Sequence, residues 1–416
     1  MRSALRGRFS TPFRRRGFNG QESRLIRVAK NLHSTQDHGA EMSKRPLNDL
    51  LHPSLKRAMG RAAERLASLD PVARTWSIAL PLAAPIDPET RDALPLEKRV
   101  YRNLAAQDWL ISFYFLALGL AVAFGSGPNR GMSLLRIGVD LAMLWTGILV
   151  VRGELLRPES FAGSLIYRLS LFAPVVLSYF QLRDILPAVS SRSLDAEILA
   201  LDLQLFGFEP ALAWDPLVTP ATTEWFSFFY FSYFGLLMVF SLAFLFVVRD
   251  KVLTARFSFG LFATFCTAHV VYMLVPGYGP YKYLAGSFHN ELAGGFFWRA
   301  VWDTVQAGGA MKDIFPSLHT AVPTFLTLFA WTHRDRLIFK LLFPVLAFFT
   351  SQIILATMFL RWHYLIDIFA GLTLASCAHL FSLRVQAWES ALRARNGVPS
   401  VFAPLELPRL LRRGTE

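Results

Sequence analysis

Three residues with complementary acid–base chemistry occur in two short segments. His319 ends the segment Phe315-Pro316-Ser317-Leu318-His319, and His363 begins the segment His363-Tyr364-Leu365-Ile366-Asp367. A histidine and an aspartate four residues apart lie on one face of a helix, within reach of each other. A carboxylate bonded to one ring nitrogen sets the tautomer and raises the basicity of the other nitrogen. His363 is therefore a candidate nucleophile, with Asp367 to orient it.

The spacing of the two histidines predicts that they meet. They are 44 residues apart, which accommodates one membrane helix out, a tight turn and one helix back. A protonated His319 can give a proton to a departing oxygen. Pro316 suits a first helical position, and the free backbone N–H groups around Ser317 and Leu318 suit a phosphate. These features together predict a phosphoryl-transfer site at one membrane surface.

The sequence shows no sign of a bound metal. Neither clustered carboxylates nor the Cys/His spacings of metal sites are present. We therefore expect catalysis without a metal or other cofactor.

The bulk composition favours a membrane protein. The 416 residues are 53% hydrophobic and only 18% charged, against about 25% charged in an ordinary soluble domain. The formal net charge is +13, but the lysines and arginines crowd the two tails and the short loops between apolar runs. That distribution is typical of a membrane protein and argues against nucleic acid as the partner.

Apolar runs long enough to cross a bilayer predict an all-α, polytopic helix bundle. A span needs about 20 largely apolar residues. Eight runs meet this test, at about 109–126, 132–151, 165–182, 224–248, 254–275, 317–333, 338–360 and 363–383. The acidic connection at 183–223 contains a further helical pattern from Leu194 to Phe206, which we expect either to lie in the membrane interface or to dip back into it.

The basic loops predict the orientation of the bundle. Clusters at 152–157, 249–256 and 334–340, together with both terminal regions, fall on one side if eight spans are present. The positive-inside rule makes that side cytoplasmic and puts the site on the opposite face. We expect a multi-pass protein of a bacterial inner membrane with a periplasmic site, or its lumenal equivalent.

Composition also divides the chain into four regions. We expect a disordered basic tail over 1–45, an amphipathic cytoplasmic segment over 46–107, a transmembrane catalytic domain over 108–385 and a basic cytoplasmic tail over 386–416.

Other ionisable residues inside the spans have structural explanations. Asp140 follows Arg136 by four residues, so the two can pair on one helix face. His269 has no local partner and is expected to be a neutral histidine bonded to a neighbouring helix.

The two segments resemble the second and third motifs of the type 2 phosphatidic-acid phosphatase superfamily. The motifs are Phe315–His319 and the run from Thr357 to Asp367. They look most like the inositol-phosphorylceramide-synthase-like branch of inositolphosphotransferases, where Pro-Ser-Leu-His replaces Pro-Ser-Gly-His. The resemblance covers roughly residues 165–385 and includes Gly279-Pro280-Tyr281-Lys282 in place of the branch's first motif. It implies a six-helix phosphatase-like core.

The resemblance also implies roles for individual residues. His363 would take the phosphoryl group as phosphohistidine, Asp367 would orient it, and His319 would act as acid and base. The phosphate-clamping cations of the phosphatases cannot be carried over. His289 and Asn290 replace the Arg-Pro of the first motif, and the Ser-Arg before the third motif is Ala356-Thr357. Nearby alternatives on the same side are Lys282, which follows a turn-forming Gly-Tyr-Gly-Pro, together with Lys312 and Arg361.

Three functions are consistent with these observations. The favoured one is a phosphotransferase that moves a phospho-head group from a phospholipid donor to a lipid alcohol. The second is a phosphatase that hydrolyses phosphatidic-acid-type or polyprenyl phosphates. A transporter or scaffold without chemistry is the third, but transporters tend to place paired charges near the bilayer midplane, whereas this trio lies at the surface.

Overall fold

The computed structural model describes residues 94–308 and 311–405, which lie in the second of two compact units, residues 81–416. The basic tail predicted for 1–45 and most of the amphipathic segment predicted for 46–107 fall outside the described residues. So does the end of the C-terminal tail, residues 406–416.

The described ranges are almost entirely helical and contain no β-strand, which confirms the all-α prediction. A single isolated bridge joins Gly277 and Asp313. The helices are α1 Leu96–Asn103, α2 Ala106–Phe124, α3 Arg130–Arg152, α4 Phe161–Val189, α5 Asp195–Phe206, α6 Pro210–Ala213, α7 Pro220–Leu242, α8 Lys251–Leu274, α9 Pro280–Tyr283, α10 Phe296–Gly308, α11 Leu318–Thr332, α12 Leu337–Phe359 and α13 Leu365–Arg395.

Seven of these helices are long and apolar enough, by length and composition, to cross a membrane. They are α2, α3, α4, α7 with its π-helical continuation to Val247, α8, α12 and α13. The sixth predicted span, 317–333, forms α11, which has only 15 residues and so measures about 22 Å. Most of α11 is buried against α8, α12 and α13. Its apolar residues therefore pack against protein, which removes the need to match the bilayer thickness.

Helix α11 joins the two ends of the bundle. At its start, the backbone N–H of Ser317 donates to the carbonyl of Asp367 at the start of α13. Beyond its end, Nε2 of His333 lies 3.4 Å from the guanidinium of Arg256, and Arg336 pairs with Asp250. The path out through α11 and back through α12 thus returns the chain to the end where α11 began.

A buried ionic network links the helices at the end of the bundle opposite the start of α13. Arg152 of α3 pairs with Asp108 of α2 at 2.9 Å, and the hydroxyl of Tyr167 of α4 donates to the same carboxylate. On α13, Arg393 pairs with Glu389, and its guanidinium also donates to backbone carbonyls that precede α2. Helix α13 therefore runs on past the predicted boundary at residue 385 as part of the packed bundle.

Two ionisable residues in the predicted spans bond to side chains of neighbouring helices. The predicted Arg136–Asp140 pair is wrong, because Arg136 pairs with Asp184 of α4. The buried Asp140 side chain instead bonds to Gln181, also of α4. His269 bonds through Nδ1 to the hydroxyl of Tyr114 on α2 at 2.9 Å. This contact confirms the prediction that His269 bonds to a neighbouring helix.

Candidate active site

His363 and Asp367 meet at the start of α13. Nδ1 of His363 lies 3.3 Å from Oδ2 of Asp367, whose side chain is fully buried. An ionised carboxylate can only accept, so this contact indicates a proton on Nδ1 and a lone pair on Nε2. Helix α13 begins at Leu365, so His363 precedes it. The side chain of Asp367, in the first turn of α13, reaches back to the start of the helix, where its Oδ2 accepts the backbone N–H of Tyr364 at 2.9 Å.

Asp195 of α5 bonds both to the turn at Tyr278-Gly279 and to Tyr364, the residue that follows His363. Its buried carboxylate accepts the hydroxyl of Tyr364 at 3.1 Å. It also accepts the backbone N–H groups of Tyr278 and Gly279, each at 2.8 Å. A carboxylate from the acidic connection thus fixes the Gly-Pro turn against the residue that follows His363.

Asp202 and Glu209 lie behind Asp367. Asp202 accepts backbone N–H groups in the first turn of α13. Glu209 lies against Asp202, and burial together with this carboxylate raises the pKa of Glu209 to about 8. At neutral pH Glu209 is therefore protonated and can donate a hydrogen bond to Asp202.

His319 lies in the first turn of α11, as expected, between two tyrosine rings of α7. The ring centroids of Tyr230 and Tyr233 are each 4.1 Å from that of His319. Its Nε2 is buried and has no hydrogen-bond partner among the residues described. The ring centroids of His319 and His363 are 6.4 Å apart. One phosphoryl group placed between the two rings can therefore contact both.

The two histidines line a cavity that is open to solvent. Its wall is mainly aromatic, with a single carboxylate, and no lysine or arginine lies among the described residues that form it. The lining residues are Tyr179, Tyr230, Phe234, Tyr278, Tyr281, Thr304, Val305, Gly308, Met311, Asp313, Ile314, His319, Trp362 and His363.

Sequence reasoning missed Asp313. This residue lies six positions before His319, lines the cavity and acts electrostatically on His363. Burial raises the pKa of Asp313, and His363 partly offsets the rise. An acidic residue just before an apolar span was a usable signal, because ionisable residues at span ends require an explanation.

Burial lowers the pKa of His363 to about 4, while the Asp313 carboxylate and a backbone hydrogen bond at Ile314 act in the opposite direction. His363 is consequently neutral at physiological pH. A neutral imidazole with a lone pair on Nε2 is the form that attacks phosphorus.

Ser317 and Lys282 were both predicted to bind phosphate, but neither is among the residues that line the cavity. Ser317 caps α11, and its Oγ accepts the backbone N–H of Thr320 at 3.2 Å. The expected helical position of Pro316 is wrong, since α11 begins at Leu318. Lys282 is exposed, and its Nζ lies 3.5 Å from the ring centroid of the cavity residue Tyr278.

The other two predicted cations hold the protein together. Lys312 donates to the backbone carbonyls of Ser191 and Arg192, at 2.8 and 3.0 Å. Arg361 forms a buried ion pair with Asp215 at 2.8 Å and also donates to the carbonyl of Asn290. Neither side chain lines the cavity.

A comparison with protein families gives a match over part of the chain. Residues 196–381 match the family model described as PAP2 superfamily. The match runs from α5 to α13 and includes both histidines and Asp367, so the resemblance to the phosphatidic-acid phosphatase superfamily is confirmed over these residues. The inositol-phosphorylceramide-synthase-like branch stays a prediction. Neither the curated proteins nor the solved structures give a significant match to the chain.

Proposed function

We propose that this chain is an integral-membrane enzyme that transfers phosphoryl groups of lipid phosphoesters through a phosphohistidine at His363. One observation carries the proposal. Two histidine rings 6.4 Å apart face one cavity, and the carboxylate of Asp367 is buried against Nδ1 of one of them. The PAP2 match supports the same class, because members of that superfamily are typically phosphatases or phosphotransferases.

The first step forms the covalent intermediate. Nε2 of His363 attacks phosphorus, the P–N bond forms, and the bond from phosphorus to the lipid oxygen breaks. His319 gives its proton to that oxygen, so the lipid leaves as an alcohol. Asp367 stabilises the positive charge that develops on the His363 ring, because it bonds to the Nδ1 proton throughout the step.

The second step resolves the intermediate. An acceptor hydroxyl attacks phosphorus, His319 takes its proton, and the P–N bond breaks to restore His363. We favour a lipid hydroxyl as the acceptor, which makes the enzyme a head-group phosphotransferase. This preference rests on Leu318 in the second motif and on Ala356-Thr357 in place of Ser-Arg.

In this proposal three features of the site stabilise the negative charge of the transferred phosphoryl group. The start of α11, at Ser317, supplies the positive end of a helix dipole. Lys282 lies over the ring of the cavity residue Tyr278, and His319 takes up a proton when the anionic phosphate binds beside it. Lys312 and Arg361 support the loops around the cavity without touching phosphate.

The orientation follows from the positions of the basic connections. Arg256 and Arg336 lie at the end of the bundle opposite His363, as does the Arg152 network. By the positive-inside rule we propose that this end is cytoplasmic and that the cavity opens on the periplasmic or lumenal face.

A labelled-donor assay tests the function. Purified protein in mixed micelles receives a phospholipid labelled in its phospho-head group, with or without a lipid alcohol, and the label is followed into lipid and water-soluble products. We expect acceptor-dependent transfer into a new lipid, absent from His363→Ala and retained by His289→Ala, whose exposed side chain makes it a matched control. Water-soluble label released regardless of acceptor would indicate a phosphatase. Turnover unchanged in His363→Ala would refute the enzymatic proposal.

A further inference from the structure

We propose that the cavity selects a zwitterionic phospho-head group of the choline type, whose quaternary ammonium lies against Asp313 and the aromatic wall. The inference rests on the proposed function, since it names the lipid donor for that site. It departs from the inositol head group that the sequence resemblance implies.

Asp313 supplies the first argument. Its carboxylate lines the cavity, and the hydrogen bond it receives comes from its own backbone. No cationic side chain pairs with it among the described residues, whereas Asp195, Asp202 and Asp215 all have donors. Asp313 is partly exposed to the cavity, so a cation bound there can pair with its carboxylate.

The aromatic wall supplies the second argument. The ring of Trp362 lies 4.7 Å from that of Tyr281 and 6.2 Å from that of Tyr230, measured between centroids. Faces of such rings attract cations, and groups of them bind quaternary ammonium ligands. Tyr278 in the same wall already holds a cation, the ammonium of Lys282.

The Asp313 carboxylate also acts electrostatically on a tyrosine of this aromatic wall. Burial and the Asp313 carboxylate together raise the pKa of Tyr281 to about 12. Asp313 and Tyr281 also line the same cavity, so in this proposal one ammonium group contacts both. The phosphate of the same ligand then lies toward His319 and His363.

Charge balance supplies the third argument. The lining has one carboxylate and no lysine or arginine in the part of the chain that is described. A choline phosphodiester carries one negative and one positive charge and is neutral overall. An inositol phosphodiester or a phosphomonoester has no positive group to place beside Asp313, so its negative charge and that of the carboxylate repel each other. A quaternary ammonium also has no N–H groups to satisfy, so ring faces and one carboxylate suffice.

A binding measurement separates this inference from the proposed function. His363→Ala protein in detergent is titrated with glycerophosphocholine and, separately, with glycerophosphoinositol by isothermal calorimetry. We expect the choline diester to bind at least about tenfold more tightly, which corresponds to roughly 1.4 kcal/mol. Equal affinities, or tighter binding of the inositol diester, would overturn the inference. Because this variant does not need to turn over, the result stands whether or not catalysis is found.

Variants of Tyr281 test whether the face of its ring contacts the ammonium group. Tyr281→Phe keeps the ring and should bind glycerophosphocholine like the parent, whereas Tyr281→Leu should bind it about tenfold more weakly. Tyr283→Leu, two residues away, exposed and outside the cavity, is the matched control. Identical behaviour of Tyr281→Leu and Tyr281→Phe would contradict the proposed contact.

Asp313→Asn tests selectivity. If the carboxylate binds ammonium, the variant loses affinity for the choline diester and keeps or gains affinity for the inositol diester. A carboxylate that acts only on His363 would alter turnover of both phospholipid donors by the same factor and leave their affinity ratio unchanged. That second outcome would overturn the inference.

Discussion

Asp202 accepts the backbone N–H of Leu365 across 163 residues of sequence, at 2.8 Å. Its other carboxylate oxygen accepts the next N–H, that of Ile366, at 2.7 Å. The first turn of a helix has N–H groups without intrahelical partners, so Asp202 caps α13 from a different helix. Because His363 and Asp367 flank this turn, the same contact sets their position.

Replacing Asp202 by Asn should therefore impair catalysis without removing any reacting group. The amide can accept only through one oxygen, so one N–H of α13 loses its partner and the His363–Asp367 contact loosens. We expect kcat to fall roughly 10- to 100-fold. Glu197→Gln on the exposed face of the same helix should leave kcat unchanged. A kcat for Asp202→Asn equal to that of this control would contradict the capping role.

The two members of the His363–Asp367 pair should differ in their effects. His363→Ala removes the nucleophile, and we expect a loss of several orders of magnitude in kcat/KM. Asp367→Asn keeps the shape but not the charge, so the loss should be smaller. Phosphoryl transfer from a labelled lipid measures both. A larger loss for Asp367→Asn than for His363→Ala would argue against the assigned roles.

The acid limb of the pH profile should report His363. Its pKa is about 4, so the neutral nucleophile persists down to that pH. We expect kcat/KM to be insensitive to His363 between about pH 5 and 7 and to fall about tenfold per unit below pH 4. Asp313 raises the pKa of His363, so Asp313→Asn should move the acid limb to lower pH. A shift to higher pH would contradict this coupling.

Glu209 should make the folded state sensitive to alkali. Burial beside Asp202 raises its pKa from 4.5 to about 8, so folding favours the protonated form. That stabilisation is fully present below about pH 4.5 and is lost as the pH rises through 8. Glu209→Gln cannot ionise, so its Tm should fall less than that of the parent between pH 5 and 9. Parallel Tm curves for the two proteins would exclude this role.

Gly279 should tolerate no side chain. Its φ is +87°, and a Cβ would lie 2.3 Å from the carbonyl oxygen of Trp362. Gly279→Ala should therefore lower Tm by at least about 2 °C, because both backbone strain and the clash are unfavourable. Gly286→Ala, with nothing within 4 Å of its Cβ, should change Tm by roughly 1 °C or less. Equal shifts would show that the turn does not need glycine.

Much of the fold was readable from the sequence because the membrane imposes strong local constraints. Each span must be apolar over its length, so the runs that became α2, α3, α4, α7, α8, α12 and α13 could be located without tertiary information. The helix from Asp195 to Phe206 was also visible in its apolar spacing. Only α11 departs from the pattern, because a helix buried by its neighbours need not span the bilayer.

Partners of charged residues were less predictable, because they depend on which helix lies alongside. The sequence offered Asp140 as the neighbour of Arg136, but packing placed Asp184 of α4 closer. Arg361 and Lys312 looked like phosphate ligands from their position in the chain. In the structure Arg361 pairs with Asp215, and Lys312 donates to two backbone carbonyls, so both side chains have partners that the sequence did not reveal.

For the candidate site itself, the sequence alone determined which residues have the right chemistry: His319, His363 and Asp367, at spacings that allow them to meet. The tertiary structure decided what surrounds them, since the aromatic wall and the carboxylate of Asp313 come from helices and loops far apart in sequence. The physical reason is one of range. Helical spacing and hydropathy act over a few residues, whereas the chemistry of a cavity depends on which distant side chains packing brings together.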